Sequence, residues 1–284
     1  MRCRRSRELV GVAIAVRALN FTRALHLATV VLVYGFILSP VVFVSWISFF
    51  RNEIVAFPPD GYTLKWFASA AADPVFVRGF VLSFELALIA AAIGVTCGTL
   101  ASLALVRYRF PGREALNMLL LSPLIVPGIV AGTALYIFYI NIEDAFDLRI
   151  AATLPGLVIA HVLLTIPWSV RLISANLVGL DRSLEEAAEN LGAGRWTTFR
   201  RVTLPLMRAG IVAATLFSFI VSFENLEFSL FLVGPGRITL PIAILQYLEF
   251  KIDPTIAAVS FVQIVLIGTA MLISDRFVKL SRIV

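Results

Sequence analysis

Apolar residues along this chain gather in runs of twenty residues and longer, where a soluble domain with a very apolar core would interrupt them with a charge every few positions. A helix that crosses about 30 Å of hydrocarbon needs roughly 20 such residues at about 1.5 Å each. Six stretches qualify, at about 24–47, 79–105, 115–140, 153–174, 209–232 and 256–274. The pattern therefore predicts an all-α, polytopic membrane protein with six transmembrane helices. The short apolar run at 9–16 is closed by Arg17 and reads either as an interfacial helix or as a frayed tail. The long run after it carries no A-x-A cleavage pattern, so it reads as a retained first span. Pro123, Pro127 and Gly128 fall in the third span and Pro155, Gly156 and Pro167 in the fourth. Each helix-interior proline frees a carbonyl, which a membrane tolerates where neighbouring helices or a water-filled cavity satisfy it, although a kink without function is an equal reading of any single proline.

Composition agrees with lipid as the solvent: 60% of residues are hydrophobic and 15% charged, with a mean hydropathy of +0.93. A net charge of +6, carried by 21 Arg and 3 Lys, would by itself suggest nucleic acid as a partner. Position decides otherwise. The N-terminal tail, the loop around 106–114, the segment 171–208 and the C-terminus hold 18 of the 24 basic residues, and the three intervening loops hold six. Positive charge is retained on the cytoplasmic side, so both termini are expected in the cytoplasm and nucleic acid drops out. Cys3 and Cys97 offer neither a disulfide framework nor a metal spacing.

Between the fourth and fifth spans the polarity changes. Ser183 with Glu186 three residues on has the spacing of a capping box, and Asp181, Glu185 and Glu186 suit the positive end of a helix dipole. Gly192 is placed to end that helix in a left-handed turn. Residues 195–202 then supply a second turn or two, which Pro205 either stops or hands over to the next span. The expectation is two short helices nearly at right angles on the cytoplasmic face.

This loop resembles the EAA loop of the permease subunits of ABC importers. The family pattern is Glu-Ala-Ala, three residues, Gly, nine residues, a β-branched residue, any residue, then Leu-Pro. Glu186, Ala187, Ala188, Gly192, Val202, Leu204 and Pro205 occupy every fixed position. The resemblance extends from about residue 33 to 275. The stretches from Phe57 to Trp66, Arg107 to Arg113 and Gly234 to Pro241, with Pro123 and Pro127, look like the spermidine/putrescine-type branch. That branch also includes relatives proposed for opines, ferric iron and aminophosphonates. Leu82 departs from it, standing where an Asn is frequent.

The resemblance implies a type I importer transmembrane core over 79–275, with a coupling loop at 180–206. The helix at 24–47 is an added flank, followed by a periplasmic loop at 48–78, with cytoplasmic tails at 1–23 and 276–284. In the family the loop docks on an ATP-binding cassette subunit, whose closure turns the membrane helices from inward-facing to outward-facing. Glu186, Ala187, Ala188, Gly192, Trp196, Arg200, Leu204 and Pro205 are the coupling residues it implies, with Leu184, Leu191 and Phe199 as further apolar contacts. The expected partners are two ATP-binding subunits holding ATP and Mg, a second permease that is identical or a paralogue, and a periplasmic or lipid-anchored solute-binding protein in the inner membrane system. No cofactor, metal or catalytic residue is assigned to this chain. It has no G-x-x-x-x-G-K-[ST] and no Gly-Lys pair at all, so ATP hydrolysis belongs to another polypeptide.

Charged side chains inside the bilayer cost about 2.5–3.5 kcal/mol on insertion scales and usually face a bundle interior or an aqueous path. Glu224 and Glu227, with Asn225 between them, are expected on one face of the fifth span, Glu224 about 22 Å above Ala209. They form a candidate path for a cationic solute such as a polyamine. Glu85 is near enough to the outer edge to snorkel, and His161 reads as a packed, hydrogen-bonded helix residue. An ion-coupled secondary transporter is the alternative from another class, but the chain lacks a convincing internal repeat.

Overall fold

The computed structural model describes the backbone of residues 2–278 and the side chains of Arg23 and residues 25–276. Lys279, Arg282 and the rest of the expected C-terminal tail beyond 278, and the side chain of Cys3, lie outside the described residues. The described chain is helical in its regular elements: α1 (Arg2–Ile47), α2 (Lys65–Ala72), α3 (Pro74–Arg107), α4 (Arg113–Leu121), α5 (Gly128–Phe146), α6 (Leu154–Val178), α7 (Ser183–Asn190), α8 (Arg195–Thr198), α9 (Leu204–Phe223), α10 (Glu227–Leu232), α11 (Leu240–Phe250) and α12 (Thr255–Val278). Six stretches are long and apolar enough to cross a membrane, one for each expected span.

Three boundaries differ from the sequence reading. The helix of the first span continues unbroken through residues 9–16, so no separate interfacial helix forms there. The third expected span is split. α4 closes at Leu121, a 3-10 turn covers Ser122–Leu124, and α5 opens after Pro127, because neither proline can donate to a continuing ladder. The fifth stops at Phe223 and restarts as α10, so 209–232 is two helices. α11, short and apolar, lies in what was expected to be a loop.

The core is the packing of α3, α6 and α9 on one another. In lipid, apolar side chains gain little by leaving one hydrocarbon surface for another, so helices associate through close backbone approach and hydrogen bonds. Small residues permit that approach: a Cβ on Gly94 would collide with Thr165 and one on Gly98 with Ser169, while one on Gly210 would come within 2.6 Å of Asn176 Cβ. The same contacts carry hydrogen bonds. Thr165 Oγ1 donates to Ala90 O (3.1 Å), Ser102 Oγ donates to Val170 O (3.2 Å), and Ser169 and Ser218 hydroxyls meet at 3.0 Å. Buried apolar clusters fill the bundle around this seam, with Leu177, Met207 and Ala214 at one end and Phe76, Phe223 and Leu240 toward the other.

α1 is largely uncovered along its membrane stretch, and the residues just after it join it to the rest. Phe49 packs on Phe67 and Phe261, and Trp66 Nε1 donates to Phe50 O (2.6 Å).

Replacing a glycine by alanine inside a helix gains about 1 kcal/mol in propensity, whereas overpacking costs about 1–3 kcal/mol. At Gly98 the collision wins, so Gly98→Ala is expected to lower the melting temperature of the purified protein in detergent. Gly268→Ala, where nothing lies within 4 Å of the added carbon, should leave it unchanged or raise it.

Candidate functional site

The loop between α6 and α9 has a shape set by its own backbone. Asp181 Oδ1 accepts the Ser183 N–H (2.9 Å), and the N–H groups of Glu185 and Glu186 bond back to Arg182 O. The cap is therefore Asp181, not Ser183. The Ser183/Glu186 capping box does not form, since Glu186 Oε1 turns to Arg182 Nε at 3.4 Å, with both side chains exposed. Accepting first the Ser183 N–H and then its hydroxyl holds the Asp181 carboxyl below the ordinary range.

α7 ends as the sequence predicts. Gly192 has φ +87°, its N–H bonds to Glu189 O (2.9 Å), and the Ala193 N–H bonds to Ala188 O (3.1 Å), which is a Schellman closure. The next piece differs from expectation. α8 passes through a π-helical turn, Phe199–Thr203, directly into α9, so Arg195–Phe223 is one continuous helical stretch. Pro205 does not stop the helix and lies in the first turn of α9, the second of its two expected roles. The wider turn, in which the Leu204 N–H reaches Phe199 O, shifts the ladder where the proline ring and missing N–H would otherwise disrupt it.

The predicted coupling residues emerge on one loop with different exposures. Glu186, Ala187, Gly192, Arg200 and Pro205 are exposed, and Ala188 and Leu204 are half-buried. Leu191 is 90% exposed and Trp196 70%, the latter tilted against Phe199 with ring centroids 5.6 Å apart. Phe199 itself turns inward and lines a cavity of about 440 Å³ with Leu100, Tyr108, Glu189 and Trp196. These side chains form an uncovered apolar patch on a backbone closed by its own hydrogen bonds.

Sequence reasoning passed over a cluster behind that surface. Arg107, the last residue of α3, meets Glu185 at 3.2 Å, and Thr203 Oγ1 donates to the same carboxylate oxygen at 2.9 Å. Glu185 sits one place before the motif and Arg107 at the end of another span. No spacing rule connects them.

The candidate solute residues are arranged differently from expectation. Glu224 ends α9 and Glu227 opens α10, so a helix break separates them and they do not share one helical face. Asn225 is buried in the break, its Oδ1 accepting the Phe228 N–H (2.9 Å) and its carbonyl the Ser229 hydroxyl (2.9 Å). His161 spans the same break, with Nδ1 2.9 Å from Ser222 Oγ and Nε2 3.2 Å from Ser229 Oγ. Both glutamates are exposed, and the Glu227 carboxylate lies against Gly128 at the start of α5.

Residues 92–282 match the model of the binding-protein-dependent transport system inner membrane component. The chain belongs to this family. The permease is thus the multi-pass inner-membrane, non-catalytic subunit of an ABC importer, which decides against an ion-coupled secondary transporter. It is 28% identical to the putrescine transport system permease protein PotI of Escherichia coli (strain K12), over 80% of this chain and 81% of that one. It is 26% identical to the spermidine/putrescine transport system permease protein PotC of Haemophilus influenzae, over 87% and 93%. Among solved structures it resembles a bacterial alginate ABC transporter in complex with alginate pentasaccharide-bound periplasmic protein, with a TM-score of 0.66, 16% identity, and coverage of 90% of this chain and 93% of that one.

The Schellman closure yields a test within the permease itself. Only a residue that tolerates positive φ fits position 192, so Gly192→Ala, at about 1–2 kcal/mol of backbone cost, should speed amide hydrogen exchange at Ala193 roughly tenfold, and Gly192→Asn much less.

Proposed function

We propose that the permease moves a small cationic solute of the polyamine class, and that ATP-binding cassette subunits dock on residues 180–206 to drive it. The observation that carries the docking role is the uncovered apolar surface of Leu184, Leu191 and Trp196, held on a loop whose turns are closed by its own backbone. The loop belongs to the Arg-rich side of the chain, which puts it and both termini in the cytoplasm, beside the ATP. Glu186, Ala187, Ala188, Gly192, Trp196, Arg200, Leu204 and Pro205 form the coupling element. Residues 79–275 are the transport core, 24–47 the flanking span, 48–78 the periplasmic connection, and 1–23 and 276–284 the tails. ATP and Mg reside on the partner. A second permease chain and a solute-binding protein complete the transporter.

Support for a cationic solute comes from the break in the fifth span and from the polyamine permeases the chain resembles. The unbroken helix from Arg195 to Phe223 carries Glu224 about 22 Å beyond Ala209, in the outer half of the hydrocarbon zone. A carboxylate left uncovered at that depth would be costly against lipid, so it faces a partner permease or a water-filled path. Glu224 and Glu227 flank that path, and Asn225 shapes it by holding the start of α10.

In proteoliposomes containing the assembled transporter, Glu186→Lys and Gly192→Asp are expected to insert normally yet hydrolyse ATP without matching solute uptake; wild-type transport by either would remove the coupling role. Glu224→Gln, which deletes a charge contact of about 1.5–3 kcal/mol, should slow uptake of a polyamine delivered by its binding protein by roughly tenfold or more. An unchanged rate would take Glu224 out of the path.

A further inference from the structure

We propose that the Arg107–Glu185 ion pair, closed by Thr203, is the link that carries movement of α7 into the second span, with both charged residues acting as positioning residues for coupling. The inference rests on the reading of residues 180–206 as the coupling loop and deepens it. Three ion pairs occur among the described residues. Lys65–Glu53 spans 3.8 Å and is exposed, and Arg182–Glu186 lies within the α7 turn and is exposed. Arg107–Glu185 differs from both: it joins distant parts of the chain, at 3.2 Å, with side chains only 14% and 16% exposed.

Three elements converge on one carboxylate oxygen: the end of α3 through Arg107, the first turn of α7 through Glu185, and the π turn leading into α9 through Thr203. The large apolar side chains of α7 and its cap, Leu184 and Leu191, are exposed, so apolar packing does not fasten this helix to α3. A charge pair sheltered from water does, and removing one partner leaves the other buried and uncompensated. Beyond Arg107, α3 is one uninterrupted rod of 34 residues, about 50 Å long. It lies along α6 and α9, and toward its far end Ser83 Oγ accepts the Leu240 N–H at 2.8 Å. A push on α7 is therefore delivered to a rigid helix that runs the depth of the bundle.

The test uses the assembled transporter in proteoliposomes, measuring solute moved per ATP hydrolysed. Coupling free energies of the usual size correspond to about 5–150-fold, so Glu185→Gln and Arg107→Gln are each expected to lower that ratio about fivefold or more. The ATP-binding subunit should still co-purify at the wild-type ratio and hydrolyse ATP, which loss of a merely structural pair would not predict, and the exchange Arg107→Glu with Glu185→Arg should restore coupling. Normal coupling in the single variants overturns the proposal; if Glu186→Lys uncouples in the same assay, the docking reading survives, and if it does not, that reading fails too. A second measurement leaves the pair intact, so it stands even where the single variants fold poorly. With Cys3 and Cys97 replaced by Ser, spin labels at Ser183→Cys and Arg109→Cys should keep their separation when nucleotide binds. A change of about 5 Å, one helical turn, would overturn the link.

Discussion

The close approach of α3, α6 and α9 is the interaction on which the rest of this permease depends. Lipid surrounds the bundle with hydrocarbon as apolar as its own side chains, so burial alone does not choose which helix faces meet. Gly94, Gly98 and Gly210 choose them, by letting backbone and short polar side chains come where a Cβ would block the way. The contact brings Thr165 to Ala90 and Ser169 to Ser218, and it holds the ends of α3 and α9 together at the loop that follows α6. Arg107 reaches Glu185, and Thr203 reaches the same carboxylate, because those helix ends are held there.

A second constraint governs the irregular pieces. Backbone groups freed inside hydrocarbon must find partners within the protein. The Asn225 cap at the start of α10 is a local answer to it. The break at Glu224 is more than a defect. Asn225, His161, Ser222 and Ser229 stabilise it from the buried side, leaving Glu224 and Glu227 on the uncovered one. A continuous helix would have carried both carboxylates along one stripe; the break separates them between two helices, with Glu227 against the start of α5.

Family membership and geometry meet at the loop. The family model identifies a transporter subunit, and the loop from Glu186 to Pro205 lies within the matched residues 92–282. The motif residues are for the most part on the surface. The residues that hold this surface to the membrane helices, Arg107 and Glu185, are outside the motif. A surface read by a partner constrains residue types at fixed spacings, whereas its attachment to the rest of the chain can be made by any pair that the fold brings together.

The sequence by itself determined that six stretches can cross a membrane, and it determined the left-handed end of α7 at Gly192. Each follows from local rules: hydrocarbon thickness sets run length, and positive φ selects glycine. It misjudged what depends on competition between neighbours. Asp181 took the cap predicted for Ser183, α8 merged with the fifth span through a π turn, and prolines 123 and 127 ended a helix rather than kinking it. Only the tertiary structure decided that Glu224 and Glu227 stand on opposite sides of a break, and that Arg107 and Glu185 meet. Both outcomes depend on side chains from different helices meeting in space, and separation along the chain carries no record of such meetings.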